Sequence, residues 1–322
     1  MSPSTIPRIT ILGSLNIDLV SYVPHHPLPG ETLTSSHFTT SPGGKGANQA
    51  VACGKLSHHS SDLSLPPTAS VSMLGAVGND AYGKILLESL SSYGVDTQGV
   101  SVRQDGKTGI AIIVVDEPSG QNRIILSPES NHSLLPADFK KLPDPRPDLL
   151  IMQLEIPFDT VMQALEAAKE DRVPVLLNPA PAQELPESAY AGLAHLIVNE
   201  TEASILSGCP ESDLDHVAGL ESVAGIFLGR GVQNVVITLG GRGVYYATKS
   251  GSKALVQALK ANVVDTTAAG DTFVGSYALA VVNAGKAQFD IDAAVQAANR
   301  ASSITVSRKG AQTSIPWKDE LQ

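Results

Sequence analysis

Short β-branched runs alternate along this chain with longer segments of helical period, a pattern that restricts the fold to βαβ units around a mostly parallel sheet. Strands are expected at RITILG (8 to 13), SVSMLGAVG (70 to 78), LLIMQLE (149 to 155), VPVLLN (173 to 178), HLIVNE (195 to 200) and NVVITLGG (234 to 241). Helices are expected between them. FDTVMQALEAAKE (158 to 170), for example, sets Val161, Leu165 and Ala168 on one face. With 322 residues the chain suffices for one large α/β domain or two ordinary ones.

Two stretches, 17 to 41 and 100 to 126, have a different texture. TGIAIIVVD and QNRIILSP flank the turn-rich EPSG, which predicts an antiparallel hairpin rather than a crossover. Together the two stretches read as a small sheet projecting from the main domain, a candidate lid. The Ser/His/Pro-rich SHHSSDLSLPPTA (57 to 69) lacks periodicity and reads as a surface loop, with His58 and His59 solvated, as are His25 and His26. None of these histidines has partners at metal-ligand spacing.

Lys+Arg 22 against Asp+Glu 32 gives a formal charge of -10, which argues against nucleic acid or anionic membrane as partners. Cys53 and Cys209 are too few for a disulfide framework, and MSPSTIPRITILG lacks the charged and apolar regions of a secretory leader. No apolar run reaches the roughly 18 residues of a membrane span. A soluble, cytoplasmic protein is expected, or one shared with the nucleus in a eukaryotic cell.

Polar residues gather just past the carboxyl ends of the apolar runs: Asn16 and Asp18, Glu155, Asn178, Asn199 and Glu202, then Thr238 with Gly240, Gly241 and Gly243. In open α/β sheets ligands bind at that edge. Loops are polar in any case, so each residue alone means little, but five strand ends agree. SPGGKGANQA (41 to 50) adds Gly43, Gly44 and Gly46, which allow close backbone approach, with Lys45 and Asn48 as polar groups. A tight turn explains those glycines equally well. The spacing is neither a phosphate-binding Walker loop nor a dinucleotide fingerprint, which argues against a dehydrogenase.

DTTAAGDTF (265 to 273) precedes an apolar helical face of Phe273, Val274, Tyr277, Ala278 and Val281, so Asp271 falls at a helix start. Ala268, Ala269 and Gly270 carry nothing to obstruct their amides, and a turn of that kind at a helix N-terminus suits an anionic phosphoryl group. Beside it Asp271 could accept the proton of an attacking hydroxyl. Equally, it could be a plain N-cap stabilising the helix by about 1 kcal/mol.

In this order GSLNIDLV, PGGKGANQA, MQLE, LNPAPAQELP, NETEA, TLGGRGV, DTTAAGDTF and SRKGAQTSIPW resemble the PfkB family of carbohydrate kinases over about residues 9 to 318, and within it the branch that phosphorylates D-ribose. The resemblance implies a three-layer αβα sandwich with a β-sheet lid, forming one domain over 1 to 322. It also implies ATP-dependent transfer of the γ-phosphoryl group to O5 of D-ribose. Carried over residue by residue, Asp271 corresponds to the general base and Ala268, Ala269 and Gly270 to the anion turn. Asn16, Asp18, Gly44, Lys45, Gly46, Ala47, Asn48 and Glu155 correspond to the sugar site. Asn199, Thr238, Leu239, Gly240, Arg242, Gly241, Gly243, Gly270 and Asn299 correspond to the ATP site, although that branch often carries His at the position of Asn299. Glu202 resembles the residue that organises Mg2+ through water. Asp265, Thr267, Thr305, Arg308, Gly310 and Ser314 resemble the surroundings of a monovalent cation, usually K+. A homodimer paired through the lids is expected. Kinases for another pentose, fructose or a nucleoside share these motifs, and so would a non-catalytic sugar or nucleotide sensor, which the intact Asp271, Lys45 and Asn48 disfavour.

Overall fold

The first strand of the central sheet, β1 (Arg8–Leu12), alternates Ile9 and Ile11 on one face with Leu12 on the other, and all three are buried. A strand apolar on both sides must lie between two helical layers. In the computed structural model, which describes residues 6–60, 62–285 and 289–321, it does. The first five residues, on which the expected lack of a leader partly rests, lie outside that range, as does Ser61 of the expected surface loop.

Along the chain follow β2 (Asn16–Val23), β3 (His37–Gly43), α1 (Lys45–Ser57), β4 (Ser70–Gly78), α2 (Ala81–Ser92), β5 (Val95–Asp96), β6 (Val100–Arg103), β7 (Gly109–Asp116) and β8 (Asn122–Ser127). Then come β9 (Leu149–Met152), α3 (Phe158–Glu170), β10 (Val175–Leu177), the single turn α4 (Glu187–Tyr190), β11 (His195–Asn199), α5 (Glu200–Ser207) and α6 (Val217–Gly229). The series closes with β12 (Asn234–Thr238), β13 (Val244–Thr248), β14 (Lys253–Val256), α7 (Ala269–Asn283) and α8 (Ile291–Thr305).

The large sheet runs β14-β13-β12-β11-β10-β9-β1-β4-β5, with β6 beside the end of β4. It is parallel except for β13, which pairs antiparallel with both β12 and β14. One face carries α1, α2, α7 and α8, and the other α3, α5 and α6. The strand order reverses between β1 and β9, so their loops leave in opposite directions and open a crevice at their carboxyl ends.

The small sheet, β3-β2-β7-β8, pairs β2 parallel to β7, with β3 and β8 antiparallel on the outside. The predicted hairpin is there, with Ile110 opposite Ser127 and Val115 opposite Asn122. The second stretch of this sheet begins later than residue 100, because Val100–Arg103 pairs parallel with β4 in the large sheet. Its alternating Val100 and Val102 fit either sheet, and the pairing partner decides.

Candidate active site

Three backbone amides at the start of α1 are docked on the turn after β1. Ala47 N donates to Ser14 O (2.9 Å), Gly46 N to Ser14 Oγ (3.3 Å) and Lys45 N to Glu155 Oε2 (3.0 Å). Ser14 Oγ donates to the same Glu155 oxygen (2.6 Å), so a carboxylate from the β9 side sits on the positive end of α1. Gly44 enters the helix at φ 87°, and a Cβ on Gly46 would stand 2.6 Å from the carbonyl carbon of Gly13 and from Ser14 N. GGKG is therefore a close-approach turn. The amides of Lys45, Gly46 and Ala47 are spent within the protein.

At its far end α1 is fixed through Lys55. The ammonium lies 5.1 and 5.4 Å from the ring centres of Tyr93 and Trp317 and donates to Gln312 O (3.3 Å). Burial pulls this lysine down to about 8. His58, expected in solvent, is buried instead, with Nδ1 2.9 Å from Gly54 O and its ring against Gly94. It closes the end of α1, because a helix C-terminus has carbonyls to satisfy. His25 remains half-exposed, 3.0 Å from Glu31.

α7 begins differently. Its N-cap is Ala268, at φ 59° and with no side-chain cap, so Asp271 is not an N-cap but the third helical residue. Its carboxylate turns inward, Oδ1 accepting from Gln49 Nε2 (3.0 Å) and Oδ2 from Asn48 Nδ2 (3.1 Å). Among the described residues neither the Gly270 nor the Asp271 backbone amide donates a hydrogen bond. Two orphan donors thus flank a buried carboxylate, the arrangement an anion turn needs.

Asp18, on β2, faces the same space. Burial first, then the charges of Glu155 and Asp271, push it up to about 7. Burial also raises Asp271, opposed by the charge of Lys45 and by Gln49 and Asn48. Burial disfavours the Lys45 ammonium, but Asp271, Glu155 and Glu202 outweigh it and hold the lysine above its ordinary value. Asn16, at the start of β2, accepts at Oδ1 from Asn131 Nδ2 (2.8 Å), and Asn131 also pairs with both backbone groups of Leu15.

The adjacent strands β11 and β12 bring Asn199 opposite Thr238. Asn199 and Glu202 form a capping box at the start of α5, at 2.8 and 2.9 Å, so one Glu202 oxygen is engaged. Gly240 (φ 54°) and Gly243 (φ 106°) shape the turn after β12, and Leu239 is buried. Arg242 in that turn points away, pairing with Glu200 and donating to Leu214 O (2.9 Å). Asn299, on α8, donates to Gln257 O (3.3 Å).

Asp265 staples two loops. Its Oδ1 accepts from Thr267 N (2.9 Å) and Oγ1 (2.6 Å), and its Oδ2 from Gly310 N (2.9 Å). The side chains of Thr305, Arg308 and Ser314 turn elsewhere, to Thr272, Glu320 and Ala311 O. No group of three or more His, Cys, Asp or Glu suited to a metal occurs among the described residues. Sequence reasoning missed Ser14, Gln49, Asn131, Gln153 and Gln312. Ser14, Gln49, Gln153 and Gln312 lie inside GSLNIDLV, GGKGANQ, MQLE and SRKGAQTSIPW, whereas Asn131 lies in none of the quoted motifs.

Residues 7–318 match the profile of the pfkB family carbohydrate kinases. A ribokinase of Schizosaccharomyces pombe is 43% identical over 318 residues, 96% of this chain and 95% of that one. A deoxyribokinase of Salmonella typhi is 34% identical over 96% of this chain and 95% of its own. Among solved structures, Arabidopsis thaliana ribokinase complexed with ribose and ATP superposes with a TM-score of 0.85 at 29% identity, covering 98% of each chain. The chain belongs to the PfkB family of carbohydrate kinases.

Proposed function

We propose that this protein transfers the γ-phosphoryl group of ATP to O5 of D-ribose, giving ribose 5-phosphate and ADP. The observation that carries the reading is Asp271, a buried carboxylate fixed by two amides beside the unpaired amides of Gly270 and itself. Asp18, Glu155, Asn16 and Asn48, with Lys45 among them, give a polyhydroxylated neutral ligand the convergent acceptors and donors it needs. Asp271 takes the proton of the 5-hydroxyl as the O5–P bond forms and the bond from the γ-phosphorus to the ADP oxygen breaks. The turn Ala268–Ala269–Gly270 and the Lys45 ammonium meet the charge on the moving group.

ATP binds along Asn199, Thr238 to Gly243, Gly270 and Asn299. Glu202 would hold magnesium through water, and the ion would supply charge neutralisation at the phosphates. A single part-engaged carboxylate, Glu202, fits an ion that keeps most of its waters. A monovalent cation fits beside Asp265, whose Oδ2 accepts one bond, with Thr267 and backbone oxygens of the 305 to 314 segment. A coupled ADP assay tests both readings. Ribose should be the preferred sugar in a panel including 2-deoxyribose, the second reading favoured by the Salmonella relative. Equal rates in sodium-only and potassium buffers would remove the cation from the scheme.

The small sheet serves as the lid, since β2 carries both Asn16 and Asp18. Its exposed Phe38, Ile112, Ile124 and Ile125 and its open edges fit a second copy of the chain. A homodimer is expected by light scattering, and a monomer at micromolar concentration would count against it. No helix among the described residues is long and apolar enough to cross a membrane.

Asp18 links sugar binding to pH. Ribose hydroxyls donate to an ionised Asp18, which binds its proton below about 7. Ribose affinity should therefore weaken as pH falls below that value, by up to about tenfold per unit, and level off above it. Calorimetry in buffers of different ionisation enthalpy should show proton release on binding near pH 6, absent in Asp18→Asn. A flat affinity from pH 5.5 to 8 would contradict the linkage.

A further inference from the structure

Asp271 is held by amides that are themselves held. Gln49 donates through Nε2 to Asp271 and to Asn178 Oδ1 (3.0 Å each), while its Oε1 accepts from Gln153 Nε2 (2.6 Å). Asn48 donates through Nδ2 to Asp271, while its Oδ1 accepts from Gln312 Nε2 (3.3 Å). Gln312 Oε1 in turn accepts from Ser89 Oγ on α2 (2.8 Å). Gln49, Gln153, Gln312 and Asn48 are all buried.

A side-chain amide rotated by 180° keeps its shape but exchanges its donor for its acceptor. Flipping Asn48 would set its carbonyl against the Asp271 carboxylate and its NH2 against the NH2 of Gln312, two mismatches in a buried setting. Ser89 Oγ satisfies Gln312 Oε1, and because a hydroxyl can donate or accept, the direction of the chain is fixed at its other end, where the Asp271 carboxylate only accepts. The Gln153 arm is less determined, because its own Oε1 has no partner among the described residues.

We propose that Gln312 is a positioning residue for phosphoryl transfer. By donating to the Asn48 carbonyl oxygen, with its own Oε1 satisfied by Ser89, it keeps an N–H of Asn48 aimed at the Asp271 carboxylate. The inference rests on Asp271 being the base. It reaches outward to α2 and to the segment around residue 312, which bring no group to the sugar or the nucleotide themselves.

Steady-state kinetics across pH on Gln312→Glu, Ser89→Ala and Asp271→Asn test it. A glutamate at 312 offers acceptors, so the Asn48 amide turns its NH2 outward and its carbonyl toward Asp271. The kcat should fall by about tenfold or more, with the KM for ATP unchanged and that for sugar moved less than about threefold. The acid limb of kcat should move to higher pH, since a carbonyl beside a carboxylate and the charge of the new glutamate both favour its protonated form, and Ser89→Ala, which adds no charge, isolates the first effect. Lys45, Asp18, Glu155 and Glu202, which also face Asp271, are the same in every enzyme compared. Ser89→Ala, at a partly exposed helix position, should lower kcat by about threefold in the same sense. Should Gln312→Glu fail to fold, Ser89→Ala decides. An unchanged kcat and acid limb in Ser89→Ala, or a Gln312→Glu loss that falls on KM, overturns the proposal. Near-normal turnover in Asp271→Asn would instead overturn the assignment of the base, so the two failures are told apart.

Discussion

Asp271→Asn should bind ribose and ATP with near-normal affinity and turn over about a thousandfold more slowly, in line with the loss of a positioned general base. The substitution keeps the side chain's size and one of its oxygens. That oxygen can still accept from Asn48 or Gln49, whereas the new NH2 meets the other donor head on. The unpaired amides of Gly270 and residue 271 are untouched, so residual catalysis from the anion turn should survive. The burial that raises the Asp271 carboxyl also makes it a stronger base than a surface aspartate, which is why the loss should fall on kcat. Calorimetric titration beside a coupled assay checks both halves. Turnover within tenfold of the parent would sink the assignment.

Gly46→Ala should be nearly as damaging by a different route. The added Cβ would meet the backbone of Gly13 and Ser14 at 2.6 Å, where no flexible side chain can yield. α1 must then lift from the turn after β1, loosening the bonds from Lys45, Gly46 and Ala47 to Glu155 and Ser14 and shifting Asn48 and Gln49 beneath Asp271. A stability loss of about 3 kcal/mol is expected from overpacking in so tight a place. Activity should drop by about a hundredfold, since a misplacement near 1 Å is costly to a positioned reaction. Thermal melts and kcat on the purified variant measure the two effects. Gly270→Ala supplies the contrast in the thermal melt alone, because a Cβ there meets no protein atom within 4 Å.

The strands and the polar edge at their carboxyl ends were legible in the sequence because both follow from local pattern. Ile9, Ile11 and Leu12 announce a strand buried on both faces, and the polar residues after each such run announce the edge. β13 and β14 were missed. VYYAT and KALV are short, and the glycines of the turn before them drew the reading toward a ligand loop rather than a hairpin edge. The pairing of the Arg242 side chain with Glu200 was not legible, because a guanidinium seeks the nearest carboxylate, which the sequence does not place. His58 failed likewise, since nothing local says that its loop folds back against Gly94. The glutamines of the amide chain lie inside quoted motifs, but their contacts were invisible for a related reason. Gln312 touches Asn48 across a separation of 264 residues, which nothing local reveals.

That separation says something about when the enzyme comes into being. The carboxylate at 271 is clasped by residues 222 and 223 positions earlier, and one of these is steadied by a residue later than both. Contacts so distant along the chain close late in folding. During refolding, phosphotransfer should thus be among the last properties to return, after helix content and after nucleotide binding. A partly assembled chain could then hold ATP without spending it.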